Sequence, residues 1–176
     1  MFGKLSLIVL NLMTLTVFTQ TWHTVTTNAV VEFDMPDVPT LKDTLNTSFY
    51  YYPVDTLLSL QVQVFNDTEV SDTTGLFDAA LQEMQGDTLR AMVGLMLSLS
   101  GHDLLSLDTV SYSGIPGLEV GISAENPDNS DYDIVIFTKL FYYNRNFISF
   151  VATSYASDIT RLTSTKSQFF TSTILK

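Results

Sequence analysis

Alternation of apolar and polar residues dominates the chain from residue 30 to residue 155, and helical spacing enters only twice. Residues 30–35 (VVEFDM) alternate and stop at Pro36, which predicts a short edge strand. Asp37-Val38-Pro39 reads as a turn. Residues 48–52 and 57–65 are β-rich runs split by 53–56, a hairpin pattern. In the second run Leu58, Leu60, Val62 and Val64 share one side, with Ser59, Gln61 and Gln63 on the other. That is the signature of a strand with one buried face. Residues 74–99 place Phe77, Leu81, Met84, Met92 and Leu95 near one stripe and predict helix, which Gly86-Asp87 can divide and Gly101 can cap. Residues 103–112, 118–125, 132–143 and 147–155 then predict an antiparallel meander, with turns at 113–117, 126–130 and 144–146. The chain closes on a predicted helix. Ser157 or Asp158 is its N-cap, and Ile159, Leu162, Phe169, Phe170 and Leu175 form its buried stripe. No repeat, linker or low-complexity segment interrupts this order. The expectation is one α+β domain over residues 30–176, built on a central antiparallel sheet of about six or seven strands flanked by helices.

The first 29 residues follow a different pattern. Lys4 is the only charge before Glu32, and residues 5–18 (LSLIVLNLMTLTVF) are apolar apart from Ser6, Asn11, Thr14 and Thr16. A basic start, an apolar run and a polar stretch after it match a secretory signal peptide. The run is shorter than the roughly 20 apolar residues of a membrane-spanning helix. Cleavage after Thr27-Asn28-Ala29 suits the small-residue rule; a site at 19–21 is the rival. Residues 1–29 are therefore expected to be removed, with the boundary between 19 and 29. The domain is expected to be exported, to the periplasm or the cell exterior, with no membrane span left after cleavage.

Charge narrows the partners. Lys and Arg number 8 against 19 Asp and Glu, a net charge of -11. Such a chain repels the phosphate backbone of nucleic acids, whose binding rests on Lys and Arg, and attracts basic surfaces at long range. There is no cysteine, which excludes disulfides, zinc-thiolate sites, iron–sulfur clusters and cysteine nucleophiles.

Residues 112–170 carry a resemblance. Its elements are Ser113-Gly114-Ile115-Pro116-Gly117-Leu118-Glu119-Val120, a strand ending in Phe137-Thr138-Lys139-Leu140, a tight turn at Asn144, then Phe147-Ile148-Ser149-Phe150-Val151-Ala152, and a last helix closing on Phe169-Phe170-Thr171-Ser172. With Glu32-Phe33-Asp34-Met35-Pro36 as a first strand, this resembles the PsbP-like family, the Mog-type α/β/α sandwich. The resemblance implies an antiparallel sheet with helices on both faces. It also implies a partner-binding role, since the family includes a thylakoid-lumen accessory protein of photosystem II, a nuclear import factor that binds a small GTPase, and exported bacterial proteins of unknown role. It carries no catalytic residue over to this chain, and fold analogy alone assigns no function.

Chemical motifs are sparse. Gly101-His102-Asp103 invites a hydrolase triad, but the G-x-S-x-G elbow is missing, and His102 reads as a structural or surface histidine. Neither H-E-x-x-H nor a glycine-rich phosphate loop occurs. Asp128-Asn129-Ser130-Asp131-Tyr132-Asp133 clusters oxygen ligands, yet it lacks the Gly and the downstream Glu of a calcium loop and reads as a solvated turn. Asp67, Glu69 and Asp72 read as a charged loop. Asn46-Thr47-Ser48 and Asn66-Asp67-Thr68 are glycosylation sequons. No catalytic, cofactor or metal residue is expected. Tyr50-Tyr51-Tyr52 and Phe141-Tyr142-Tyr143 are the remaining features, and Tyr51 and Tyr142 are the expected binding surface, because exposed tyrosines favour interfaces. The expected function is a non-enzymatic accessory or partner-binding domain for another protein, with basic partners favoured. An enzyme or small-ligand carrier with a pocket invisible in sequence is the alternative.

Overall fold

A computed structural model describes residues 21–27, 30–66, 91, 94–95, 97–126 and 133–176. Two antiparallel sheets organise them. The large one has seven strands in the order β3-β4-β5-β9-β8-β7-β6. These are β3 (Thr40–Asp43), β4 (Thr47–Pro53), β5 (Leu58–Asn66), β6 (His102–Tyr112), β7 (Ile115–Ala124), β8 (Ile134–Tyr143) and β9 (Asn146–Tyr155). The small sheet has the order β1-β2-β10, from β1 (His23–Thr27), β2 (Val31–Met35) and β10 (Ile174–Leu175). A single 3-10 turn at Ala156–Asp158 leads into helix α1 (Ile159–Thr171).

The core lies where α1 and the small sheet cover one face of β5 and β9. Leu58, Leu60 and Val62 of β5 and Ile148, Phe150 and Ala152 of β9 point into it and are buried, as the period-two pattern of β5 predicts. Phe33 from β2 is its hub. Its ring meets Tyr50, Phe150 and Phe169 edge-on at 5.5, 5.9 and 6.4 Å. Edge-to-face contacts of this kind add to the burial of the rings themselves. Leu162, Phe169 and Phe170 supply the helix side of the core.

Several expectations need correction. β2 is the central strand of its sheet, not an edge: β1 pairs along one side over all five residues and β10 along the other. β1 escaped the pattern because HTVTT has a single apolar residue and borders the apolar leader. Leu175 lies in β10, beyond the helix, and Ile159 is 43% exposed. Asp158 occupies the N-cap position, but its carboxylate pairs with Arg161 at 3.3 Å and makes no capping bond. Ile115-Pro116-Gly117 belongs to strand β7. The turn is only Ser113-Gly114, both at positive φ (51° and 84°). Pro116 is tolerated there because pairing with β8 starts at Gly117, so no ladder bond is lost. Asn144 and Arg145, at φ 49° and 59°, form the predicted tight turn. Of the helix predicted at 74–99, residues 91, 94–95 and 97–99 are helical; the rest lies outside the described residues.

Gly117 and Gly121 shape the other half of the large sheet. A Cβ on Gly117 would sit 2.5 Å from both the Leu140 carbonyl oxygen and Phe141 Cδ1. One on Gly121 would sit 2.6 Å from Phe137 Cε1 and Ser106 Oγ. The bare backbone of β7 therefore lets the Phe137 and Phe141 rings of β8 lie across it. Glu119 and Lys139, directly opposite each other in the ladder, fall between the two rings.

Candidate binding face

The register places every outward side chain of the sheet in rows. One row runs Thr40, Tyr51, Gln61, Val151 and Thr138; the next runs Lys42, Phe49, Gln63 and Ser149. A third holds Thr47, Phe65, Phe147 and Tyr142. All of these lie on the face opposite α1. Strands β4, β5 and β9 contain no charged residue at all, in a chain with 19 acidic groups. Among the described residues the face over β3, β4, β5 and β9 thus presents aromatic rings, amides and hydroxyls, with Lys42 as its one charge. Four strands at roughly 4.8 Å and three rows at roughly 6.7 Å make it on the order of 400 Å².

Tyr51 is 43% exposed on this face, and two rows along it Phe65 and Phe147 are exposed with ring centroids 6.5 Å apart. Tyr51 also borders a cleft of about 170 Å³ with Leu57, Ser59, Thr153 and Tyr155. Asp55 lies in the same cleft, but its carboxylate is fully engaged. One oxygen accepts from the Leu57 and Leu58 amides at 2.7 and 3.0 Å, and the other pairs with Arg161. The Leu57 amide first, and the Arg161 guanidinium second, hold Asp55 below its usual pKa. Asp55 thus ties the β4–β5 turn to α1.

Tyr142 does not join Tyr51. It is 1% exposed and packs edge-on against Phe147 at 4.6 Å, so the expected anchor is a core residue. Its place as the middle ring of a triplet matches that of Tyr51, and burial alone separates the two. His102 opens β6 on the outer face, opposite Ala124, and its buried Nδ1 has no hydrogen-bond partner. Ser154 Oγ is likewise unpartnered, but the register turns it to the core face beside Leu58 and Val135, away from His102. The two therefore form no nucleophile–base pair. The Asp67 loop and the 128–132 oxygen cluster lie outside the described residues. Among those described, no three His, Cys, Asp or Glu side chains converge on a metal-sized site, and no helix is long and apolar enough to cross a membrane. A second group, Glu119, Lys139 and Lys166, meets under α1 and is absent from the sequence reading. Its only signal was a lone lysine in the otherwise uncharged β8.

No family model matches the sequence, and no curated protein does. Solved structures do. The solution structure of cyanobacterial PsbP (CyanoP) from Synechocystis sp. PCC 6803 superposes with a TM-score of 0.57 at 12% identity, over 92% of this chain and 96% of that one. The Saccharomyces cerevisiae Ran-binding protein Mog1p gives 0.49 at 12% identity, over 89% and 96%. A Pseudomonas aeruginosa protein of unknown function gives 0.47 at 10%, over 84% and 92%. The chain has the PsbP-like fold, as the likeness to CyanoP shows. At this identity the likeness is one of architecture, and the residues of each face must be read from this chain itself.

Proposed function

We propose that this is an exported, non-enzymatic partner-binding domain that docks another protein on the uncharged outer face around Tyr51. The observation that supports it most is the lack of any charge in β4, β5 and β9, beside exposed Tyr51, Phe65 and Phe147. Interface centres are depleted of charge and rich in aromatics, and Tyr with Ser, Thr and amide neighbours combines rigid contact area with adaptable hydrogen bonding. A face on the order of 400 Å² is about half of what one partner of a standard complex covers, ~800 Å². The remainder comes from the rim, where Asp37 is exposed. With a net charge of -11, a basic partner fits that rim and is drawn to it before contact. The second helical layer implied by the family resemblance is proposed for the β8 end of the same face, where Tyr142 is 1% exposed, and leaves the Tyr51 end open.

Export rests on the basic, apolar and polar order of the first residues. β1 refines the boundary: cleavage after Ala29 would discard a strand paired with β2 along its whole length, so the proposed site is the earlier one, at 19–21. Mass spectrometry of the native protein should find an N-terminus near residue 20, and an intact Met1 would count against export. For binding, a photo-crosslinking amino acid at position 51 in the native host should yield one dominant protein adduct. The same group at Thr163, on the exposed side of α1, should not. With the partner in hand, Tyr51→Ala should weaken binding by about 2 kcal/mol, roughly thirtyfold. Equal adducts from both positions, or an unchanged affinity, would sink the proposal.

A further inference from the structure

On the other face of the sheet, under the C-terminal half of α1, lies a cleft of about 300 Å³. Glu119 of β7, Lys139 of β8 and Lys166 of α1 line it, with Val110 and Phe170 as apolar walls. Basic groups are scarce in this chain, yet here two ammonium groups meet one carboxylate.

Lys166 is matched. It pairs with Glu119 and sits 4.6 Å above the Phe137 ring. Lys139 is not. It is 8% exposed, and among the described residues it makes no ion-pair contact. Its Nζ donates to the Phe170 carbonyl oxygen at 2.8 Å, with the Phe141, Tyr112 and Phe170 rings 5.1, 5.5 and 5.9 Å away. An ammonium has three protons to donate, and this bond uses one. Burial pulls the Lys139 pKa down, with Glu119 opposing.

A structural role does not account for this residue. Thr173 Oγ1 donates to the same Phe170 oxygen at 3.1 Å, so that carbonyl stays satisfied without Lys139. A buried cation with no anion in contact costs stability, and an apolar residue of similar size is often neutral or better. An anion entering the cleft removes the cost.

We infer that the cleft under α1 binds a small monocarboxylate, its carboxylate received by Lys139 and Lys166 and its apolar body lying against Val110 and Phe170. Both ammonium groups are within reach of one ligand, at 5.9 and 5.7 Å from the Phe170 ring centre. The volume is at the lower end for small-molecule sites, roughly 300 to 1,000 Å³. Glu119 decides the charge: it repels a phosphate dianion more strongly than a monoanion. This site is independent of the Tyr51 face, since the sheet separates them.

The test uses benzoate as the probe and the protein's amide NMR spectrum as the readout. Saturable shifts should appear at Glu119, Lys139 and Phe170 and leave the residues around Tyr51 still. Inorganic phosphate should produce none. Lys139→Met should weaken benzoate binding about tenfold or more, the weight of a lost charge-assisted contact. If Lys139→Met does not fold, Lys166→Met at the cleft rim carries the same expectation. Shifts that never saturate, shifts equal in wild type and variants, or tighter binding of phosphate would each overturn the inference.

Discussion

Gly117→Ala should be among the most damaging single-methyl changes in the protein. The new Cβ would lie 2.5 Å from the Leu140 oxygen and 2.5 and 2.6 Å from two carbons of the Phe141 ring, where carbon contacts normally begin near 3.5 Å. Neither neighbour can yield cheaply. The Leu140 carbonyl belongs to the backbone of β8, and Phe141 is 1% exposed. Overpacking of this kind costs about 3 kcal/mol. Gly121→Ala meets only side chains, Phe137 and Ser106 Oγ, and Phe137 is half-buried. It should cost about half as much. Trp22, the only tryptophan, packs against the core and reports unfolding by fluorescence. With a urea slope of about 2 kcal/mol/M, Gly117→Ala should lower the midpoint by roughly 1.5 M at unchanged slope. A loss below about 0.5 kcal/mol, or a greater loss in Gly121→Ala, would refute the idea that β7 is bared to seat the β8 rings.

The two tyrosines should separate cleanly: Tyr142→Ala should cost about 3 to 5 kcal/mol of stability and Tyr51→Ala less than about 0.5, both read from urea midpoints. Asp55 and Glu32 both have pKa values held below 3.8 and 4.5, Asp55 first by the Leu57 amide and Glu32 first by Lys176. Their stabilisation is complete above those ordinary values and is lost as pH falls through the depressed ones. Asp55→Asn should therefore flatten the acid limb of a melting-temperature profile below about pH 4, by no more than a solvent-screened pair supplies, about 1 kcal/mol. For Lys139 the sign reverses: its lowered pKa is a penalty, full at neutral pH, that fades as pH rises toward 10.5. Lys139→Met should melt no lower than wild type at pH 7, and its advantage should shrink by pH 10.

The strands of the meander were legible because their signal is local. β5 shows its buried face in four alternating aliphatics, and Asn144 marks its turn by chemistry. β1, β3 and β10 were not, because HTVTT, TLKD and IL are too short or too polar to carry a period. Their identity comes from the strand each pairs with. The binding face divides the same way. An aromatic triplet announces surface or core equally well, so Tyr51 and Tyr142 looked alike until burial parted them. The Glu119, Lys139 and Lys166 group depends on ladder register and helix docking at once, and no window along the chain contains all three.

The small sheet sets the order in which this domain can mature. β2 pairs with β1 a few residues before it, but its other side waits for Ile174 and Leu175, some 140 positions later, and Lys176 then donates its amide to Val30. Phe33, at the centre of the core, belongs to that strand and meets Phe169 just ahead of β10. A nascent chain emerging in sequence order can form the β4–β5 hairpin early, yet its core stays open until residue 175 has appeared. Contacts of such long span are slow to form. Under the proposed export this delay would keep the chain unclosed while it is threaded through a narrow channel, and the pairing of β10 with β2 is the step that completes the core.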